Sequence, residues 1–255
     1  MILAADIGNT NITIGVFKKG TLLFISRLNT VKQKTEDEYA INLKDILALN
    51  NVRGEFSGAI IASVVPELTN VFKNAVHKAT GKLSLVIAPG LKTGLSINID
   101  NPKELGADFV AGAVGAINKY PLPCLIIDLG TATKLSVISK SSEFLGCVIA
   151  PGIEISLDAL SNRTSQLPSV SLEPPPRTTG TNTIDSIKSG TILGTAAMID
   201  GLADLLENEL GAAFNTIVAT GGLSKVIIPE CRKDIILNKT LVLEGLFEIY
   251  YKNIR

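Results

Sequence analysis

Apolar positions fall into two rhythms along this chain. Residues 2–6, 12–17 and 21–27 are short, nearly continuous apolar or alternating runs, separated by turn signals at Gly8-Asn9 and Lys18-Lys19-Gly20, which predicts a three-strand meander. Thr35 followed by Glu38 has the spacing of a capping box, and Ile41, Leu43, Ile46 and Leu47 then recur at helical spacing. Residues 59–65 read as a strand running into Pro66, residues 67–79 as a helix, and residues 83–87 as a further strand. The order βββαβαβ is that of an α/β domain.

The second half repeats this order in outline. Residues 88–105 are broken up by Gly90, Gly94 and Asp100-Asn101-Pro102 and read as a loop, and residues 106–119 as a helix of small residues. Strands are expected at 124–128, 133–139 and 144–150, and a helix from Pro151-Gly152 to about residue 162. Residues 167–182 carry Pro168, Pro174, Pro175, Pro176 and Gly180 and read as irregular. Residues 183–210 read as helical with a break near Gly190 and Gly194, residues 215–219 as a strand, and residues 241–254 as a closing helix. Two domains of similar plan are expected, 1–117 and 118–255.

The repeat extends to residues that carry chemistry. Asp6-Ile-Gly-Asn-Thr-Asn-Ile-Thr13 returns in altered form as Asp128-Leu-Gly-Thr-Ala-Thr133. Each copy is an apolar strand, a carboxylate, a Gly-centred turn with Thr, and a second strand. Such a hairpin offers backbone N–H groups and hydroxyls to a phosphate, with a carboxylate placed for a metal. Asp6, Gly8, Asn9, Thr10 and Thr13 form the first candidate, with Asp6 holding Mg²⁺ through water. Asp128, Gly130, Thr131 and Thr133 form the second, where the carboxylate calls for a cation or a hydrogen-bonded role. The bland alternative for both is a hairpin turn with an Asx cap. Asp108, just inside a helix start, is a candidate base, or simply a carboxylate favoured by the helix dipole. Gly221 and Gly222 follow a strand and suit the adenosine side of a nucleotide site, although a bare Gly-Gly is more often a turn. Lys134 is either a phosphate neutraliser or a solvated strand residue; Arg163 and Arg177 carry charge without a spacing argument. Together the turns suggest a nucleotide held between two similar domains.

Composition narrows the class. The 255 residues are 46% hydrophobic and 19% charged, enough for a sizeable core. Net charge is zero, with no basic stripe, which argues against a nucleic-acid partner. Cys124, Cys147 and Cys231 are widely spaced and read as buried reduced thiols, and the single His77 excludes a His-rich zinc site. Residues 1–5 are too short for a signal peptide and no apolar run approaches a membrane span, so no membrane partner and a cytoplasmic location are expected.

In their order along the chain, Asp6-x-Gly-Asn-Thr, Pro89-Gly-Leu-Lys-Thr-Gly94, Asp100-Asn-Pro, Gly106-Ala-Asp108, Asp128-x-Gly-Thr-Ala-Thr133, Gly146-x-x-Ile-x-Pro-Gly152, Leu167-Pro168, Gly180-x-x-Thr183, Ser189-Gly190 and Leu241-x-Leu-x-Gly-Leu246 resemble the type III pantothenate kinases over nearly the whole length. The resemblance implies duplicated actin-like (ribonuclease H-like) α/β domains, mixed sheets flanked by helices, and a nucleotide cleft between them. It implies ATP-dependent phosphorylation of pantothenate to 4'-phosphopantothenate, the first step of coenzyme A biosynthesis. By match, the segment from Asp6 to Thr13, Asn11 included, and Thr131 and Thr133 bind ATP, and Asp108 accepts the proton. Asp128 holds a monovalent cation, K⁺ or NH₄⁺, and Mg²⁺ accompanies ATP. Gly106, Ala107, Asp108, Phe109 and Ile99 line the pantothenate site, and Thr183 reaches that of the other subunit of a homodimer.

Four positions depart from the family pattern. Phe109 stands where Arg is usual, Ile99 where Tyr is frequent, Lys134 where Thr is usual, and Ser136 where Asp or Asn is usual. Arg clamps a carboxylate through two hydrogen bonds and Phe does not. A catalytically weak or regulatory homologue, or a kinase for another hydroxyl substrate, is therefore the alternative expectation.

Overall fold

A computed structural model describes residues 1–163 and 170–254, without the side chains of residues 162 and 163. The motif Leu167-Pro168 and the Arg163 side chain lie outside the described residues. The chain forms two compact units, one of residues 1–95, 100–118 and 241–255, the other of residues 96–99 and 119–240.

In the first unit, β1 (Ile2–Ile7), β2 (Asn11–Lys18) and β3 (Thr21–Asn29) form the expected meander. Helix α1 (Glu36–Leu49) follows, then β4 (Gly58–Ser63), α2 (Pro66–Thr80) and β5 (Ser84–Val86). The sheet order is β3-β2-β1-β4-β5, antiparallel on the meander side and parallel from β1 to β5. The capping box at Thr35 is present: its hydroxyl accepts from Glu38 N while Glu38 accepts from Thr35 N. Ile41, expected on the buried face, is exposed, and Tyr39 takes its place in the core. The Tyr39 hydroxyl is satisfied by the backbone of Val31, which lets so large a polar side chain be buried.

The loop expected at 88–105 contains a short strand, β6 (Ser96–Ile97), which pairs with the second sheet, and a 3₁₀ turn at Pro102–Glu104. Helix α3 (Ala107–Lys119) completes the first half of the chain.

The second unit repeats the plan. Strands β7 (Cys124–Leu129), β8 (Ala132–Ile138) and β9 (Glu143–Pro151) form a second meander, followed by α4 (Ile153–Arg163). Then come α5 (Thr183–Lys188), α6 (Gly194–Leu210), β10 (Thr216–Thr220), α7 (Ser224–Ile227) and β11 (Ile236–Leu237). The order β11-β10-β7-β8-β9-β6 carries the first sheet's five-strand pattern with one strand added at its edge. The break expected near Gly190 and Gly194 is absent. Residues Ser189–Leu193 instead form a π-helical segment that joins α5 to α6, widening the helix without ending it. Helix α7 and strand β11 were not visible as separate elements in the pattern because each is four residues or fewer.

The closing helix α8 (Leu241–Ile254) belongs to the first unit, although residues 119–240, which precede it in the chain, belong to the second. It packs beside α3 at backbone distance. A Cβ on Gly245 would fall inside the Ala111 carbonyl, and one on Gly115 inside the Leu241 carbonyl. The small residues of α3 are thus core residues covered by α8.

The cysteines only partly match expectation. Cys124 is buried, and burial pushes its thiol up to about 12. Cys231 is half-buried and likewise pushed up to about 12, by burial first and then by the Asp200 and Glu230 charges. Cys147 is exposed, because β9 alternates outward over its last five residues.

Two glycines in the same region separate a steric requirement from a propensity. Gly245→Ala forces the α3–α8 backbones apart and lowers stability by about 2–3 kcal/mol or more. Gly112→Ala meets open space and gains helix propensity, so its effect lies between zero and about 1 kcal/mol of stabilisation. Urea unfolding of the two variants checks both signs.

Candidate active site

Strands β1 and β7 are each six residues long and share one burial pattern: every position is buried except the fifth. That fifth position is Asp6 in one and Asp128 in the other. The pattern follows from their central place in each sheet, where both faces are covered and a carboxylate is tolerated only near the end.

In the first unit the hairpin turns through Gly8, Asn9 and Thr10. Gly8 N–H donates to the Asn11 carbonyl at 3.0 Å. Asn9, Thr10 and Asn11 are exposed, and Gly8 is half-buried. The register places Thr13 directly opposite Asp6, so both side chains leave the same face of the sheet. Thr30, which the sequence reading missed, pins the turn twice. Its hydroxyl donates to the Gly8 carbonyl at 2.7 Å and its N–H to the Thr10 carbonyl at 2.9 Å. Only the meander brings it there, so no local signal marks it.

Asp108 is in the same unit. It lies in the first turn of α3, where the exposed helix N–H groups favour an anion. Its Oδ1 accepts from Phe109 N at 2.9 Å. A Cβ on Gly106 would stand 2.6 Å from that oxygen and 3.7 Å from Val64 Cγ1, so glycine is what lets the carboxylate fold back there. Val64 N–H in turn donates to the Ile7 carbonyl at 3.0 Å. One backbone segment, Ser63–Val65, therefore adjoins both the first acidic turn and the start of α3. Gly106, Ala107, Asp108 and Phe109 are all half-buried.

In the second unit the turn is one residue tighter. Gly130 N–H donates to the Ala132 carbonyl at 3.2 Å, and Thr131 at the tip is exposed. The register places Lys134 opposite Asp128 and Thr133 opposite Leu129. Lys134 is neither solvated nor aimed away: its Nζ lies 2.6 Å from Asp128 Oδ2, with the side chains 15% and 25% exposed. Thr133, expected to contact ATP, is 1% exposed, and its Oγ1 has no hydrogen-bond partner. Strand alternation turns it to the face of Leu129, opposite to Asp128, so it is a core residue. Ser136 is also buried.

Gly221 and Gly222 follow β10, whose last residue Thr220 pairs in parallel with Asp128. Gly221 has φ +94° and packs on the Leu129 backbone, and Leu223 N–H donates to the Leu129 carbonyl at 3.2 Å. The acidic turn and the Gly-Gly turn thus leave the carboxyl ends of neighbouring parallel strands, where open α/β sheets bind ligands. Ile99 is half-buried beside β6, in the second unit, and Thr183 is exposed at the start of α5, capped by Asn182. Arg177 donates to Thr181 Oγ1 at 3.1 Å, a local contact.

Residues 2–205 match the family model described as Type III pantothenate kinase. The chain belongs to this family. Proteins named Type III pantothenate kinase from Halalkalibacterium halodurans and Shouchella clausii are 40% and 41% identical over 255 residues, covering at least 99% of this chain and all of each relative. A solved structure described as a Baf family transcriptional activator from Campylobacter jejuni superposes with a TM-score of 0.61 at 21% identity, covering 98% of each chain, and shows the shared fold. The fold is the duplicated actin-like one, and the type III pantothenate kinase activity is ATP-dependent phosphorylation of pantothenate in coenzyme A biosynthesis. No helix among the described residues is long and apolar enough to cross a membrane.

Thr30→Val removes the hydroxyl that holds the Gly8 carbonyl. Stability falls by about 0.5–1.5 kcal/mol, and KM for ATP rises while the fold is kept. Thermal unfolding and steady-state kinetics check the two effects.

Proposed function

We propose that the protein transfers the γ-phosphoryl group of ATP to the primary hydroxyl of pantothenate, with Asp108 as general base. The observation that carries the assignment is the shared Ser63–Val65 segment, which adjoins both the Asp108 helix start and the Gly8 turn. As the hydroxyl oxygen attacks phosphorus, its proton passes to Asp108, the new O–P bond forms, and the bond to the ADP oxygen breaks. This chemistry depends on positioning and charge neutralisation more than on covalent catalysis.

The turns of Gly8–Asn11 and Gly130–Thr131 supply backbone N–H groups and hydroxyls for phosphate, and Gly221-Gly222 the adenosine side. Asp6 fits Mg²⁺. It is a partly exposed carboxylate at a strand end, and a Mg²⁺ that arrives with ATP is held by one or two carboxylates and the phosphates. A monovalent cation at Asp128 fits poorly, because the Lys134 ammonium already lies on that carboxylate.

We assign Gly106–Phe109 and Ile99 to pantothenate and read the enzyme as a cytoplasmic homodimer in which Thr183 serves the partner's site. The exposure of Thr183, with exposed Ile155, Leu160 and Ile184 on α4 and α5, supports a partner surface there.

Phe109 favours a second reading, a substrate without a carboxylate, since no guanidinium stands at that position. Turnover of pantetheine or a hexose in place of pantothenate would select it.

With purified protein, Mg-ATP and pantothenate, Asp108→Asn lowers kcat by about 10²–10⁴-fold while ATP binding persists. A variant keeping more than about a tenth of the rate removes Asp108 from the base role. Phe109→Arg restores a carboxylate clamp and lowers KM for pantothenate by about tenfold or more, read in the same assay.

A further inference from the structure

The two acidic turns are built alike but charged differently. Across each hairpin the carboxylate faces one residue: Thr13 for Asp6, Lys134 for Asp128. The residue across the first hairpin is a neutral hydroxyl; the residue across the second is a cation. The Lys134–Asp128 distance is 2.6 Å, with both side chains at least three-quarters removed from solvent, so this pair is screened less than a surface one.

A lysine ammonium is a compact single positive charge with three donors. One N–H reaches Asp128 Oδ2 in this geometry. A K⁺ or NH₄⁺ bound to the same carboxylate would bring a second positive charge against Nζ, or would have to displace a group tethered to the adjacent strand. Displacement is disfavoured because the tether keeps the ammonium at high effective concentration.

We propose that Lys134 supplies, from within the chain, the positive charge beside Asp128, so that phosphoryl transfer by this protein needs no monovalent cation. The inference rests on the kinase reading above, deepens it at one residue, and makes Lys134 a charge-supplying part of the phosphate site.

The test compares turnover of Mg-ATP and pantothenate in K⁺, NH₄⁺ and Na⁺ chlorides at equal ionic strength. The unmodified protein is expected to vary by less than about twofold across the three. Lys134→Thr lowers the rate in Na⁺ by about tenfold to a hundredfold, and K⁺ or NH₄⁺ restores it. Lys134→Met, which keeps the stem and drops the charge, gives the same loss. A second readout is the melting temperature of the ATP-bound protein in K⁺ against Na⁺. No K⁺-specific shift is expected for the unmodified chain, and a rise of about 2–4 °C for Lys134→Thr. A tenfold dependence of the unmodified enzyme on K⁺, or full activity of Lys134→Thr in Na⁺, overturns the proposal. Turnover in none of the salts defeats the kinase reading, and the melting comparison then decides alone. A K⁺-specific shift in the unmodified protein, or in neither protein, overturns the proposal; a shift confined to Lys134→Thr upholds it.

Discussion

A strand covered on both faces cannot carry a carboxylate in its interior without a costly unpaired charge. Strands β1 and β7 obey this by being apolar through their first four positions and acidic at the fifth. The constraint sets where chemistry is possible. The carboxylate must sit at the carboxyl end of a central strand, the chain must turn at once, and the returning strand must place one residue opposite it. In the first unit the start of α3 lies near the Gly-centred turn that follows β1, and in the second the Gly-Gly turn after β10 lies against the end of β7.

Neutral and charged partners across these hairpins then give the two sites different characters. Asp6 faces the neutral hydroxyl of Thr13 across its hairpin. Asp128 opposite Lys134 is already compensated. The same backbone, used twice in one chain, is thus specialised by a single side chain on the returning strand. The helix start at Asp108 adds a third carboxylate by another route, through a glycine that lets the side chain fold over the first turn.

Close backbone approach supports the first unit from behind. Helix α8 lies against α3 with only glycine able to occupy Gly245 and Gly115 at the crossing. The helix that carries Asp108 in its first turn is therefore held by the last segment of the chain, which joins distant parts of the sequence in one packed body. A change far from the site in sequence, such as one at Gly245, acts on the helix that carries the proposed base.

The sequence by itself determined the repeat. Strand runs, turn residues and the capping box at Thr35 are local signals, and local sterics and hydrogen bonding enforce them wherever the chain goes. It also placed Asp6, Asp108 and Asp128 at element ends, because apolar runs stop there. Tertiary structure alone decided which face each side chain leaves. Thr133 looked like a ligand in the motif, but the register turned it into the core. Lys134, one residue on, was turned onto Asp128 for the same reason: strand period is two, so one position of register separates a core residue from one that meets Asp128. Thr30, the place of α8 and the continuity of the helix through Ser189–Leu193 were likewise settled by partners remote in sequence or by helix packing.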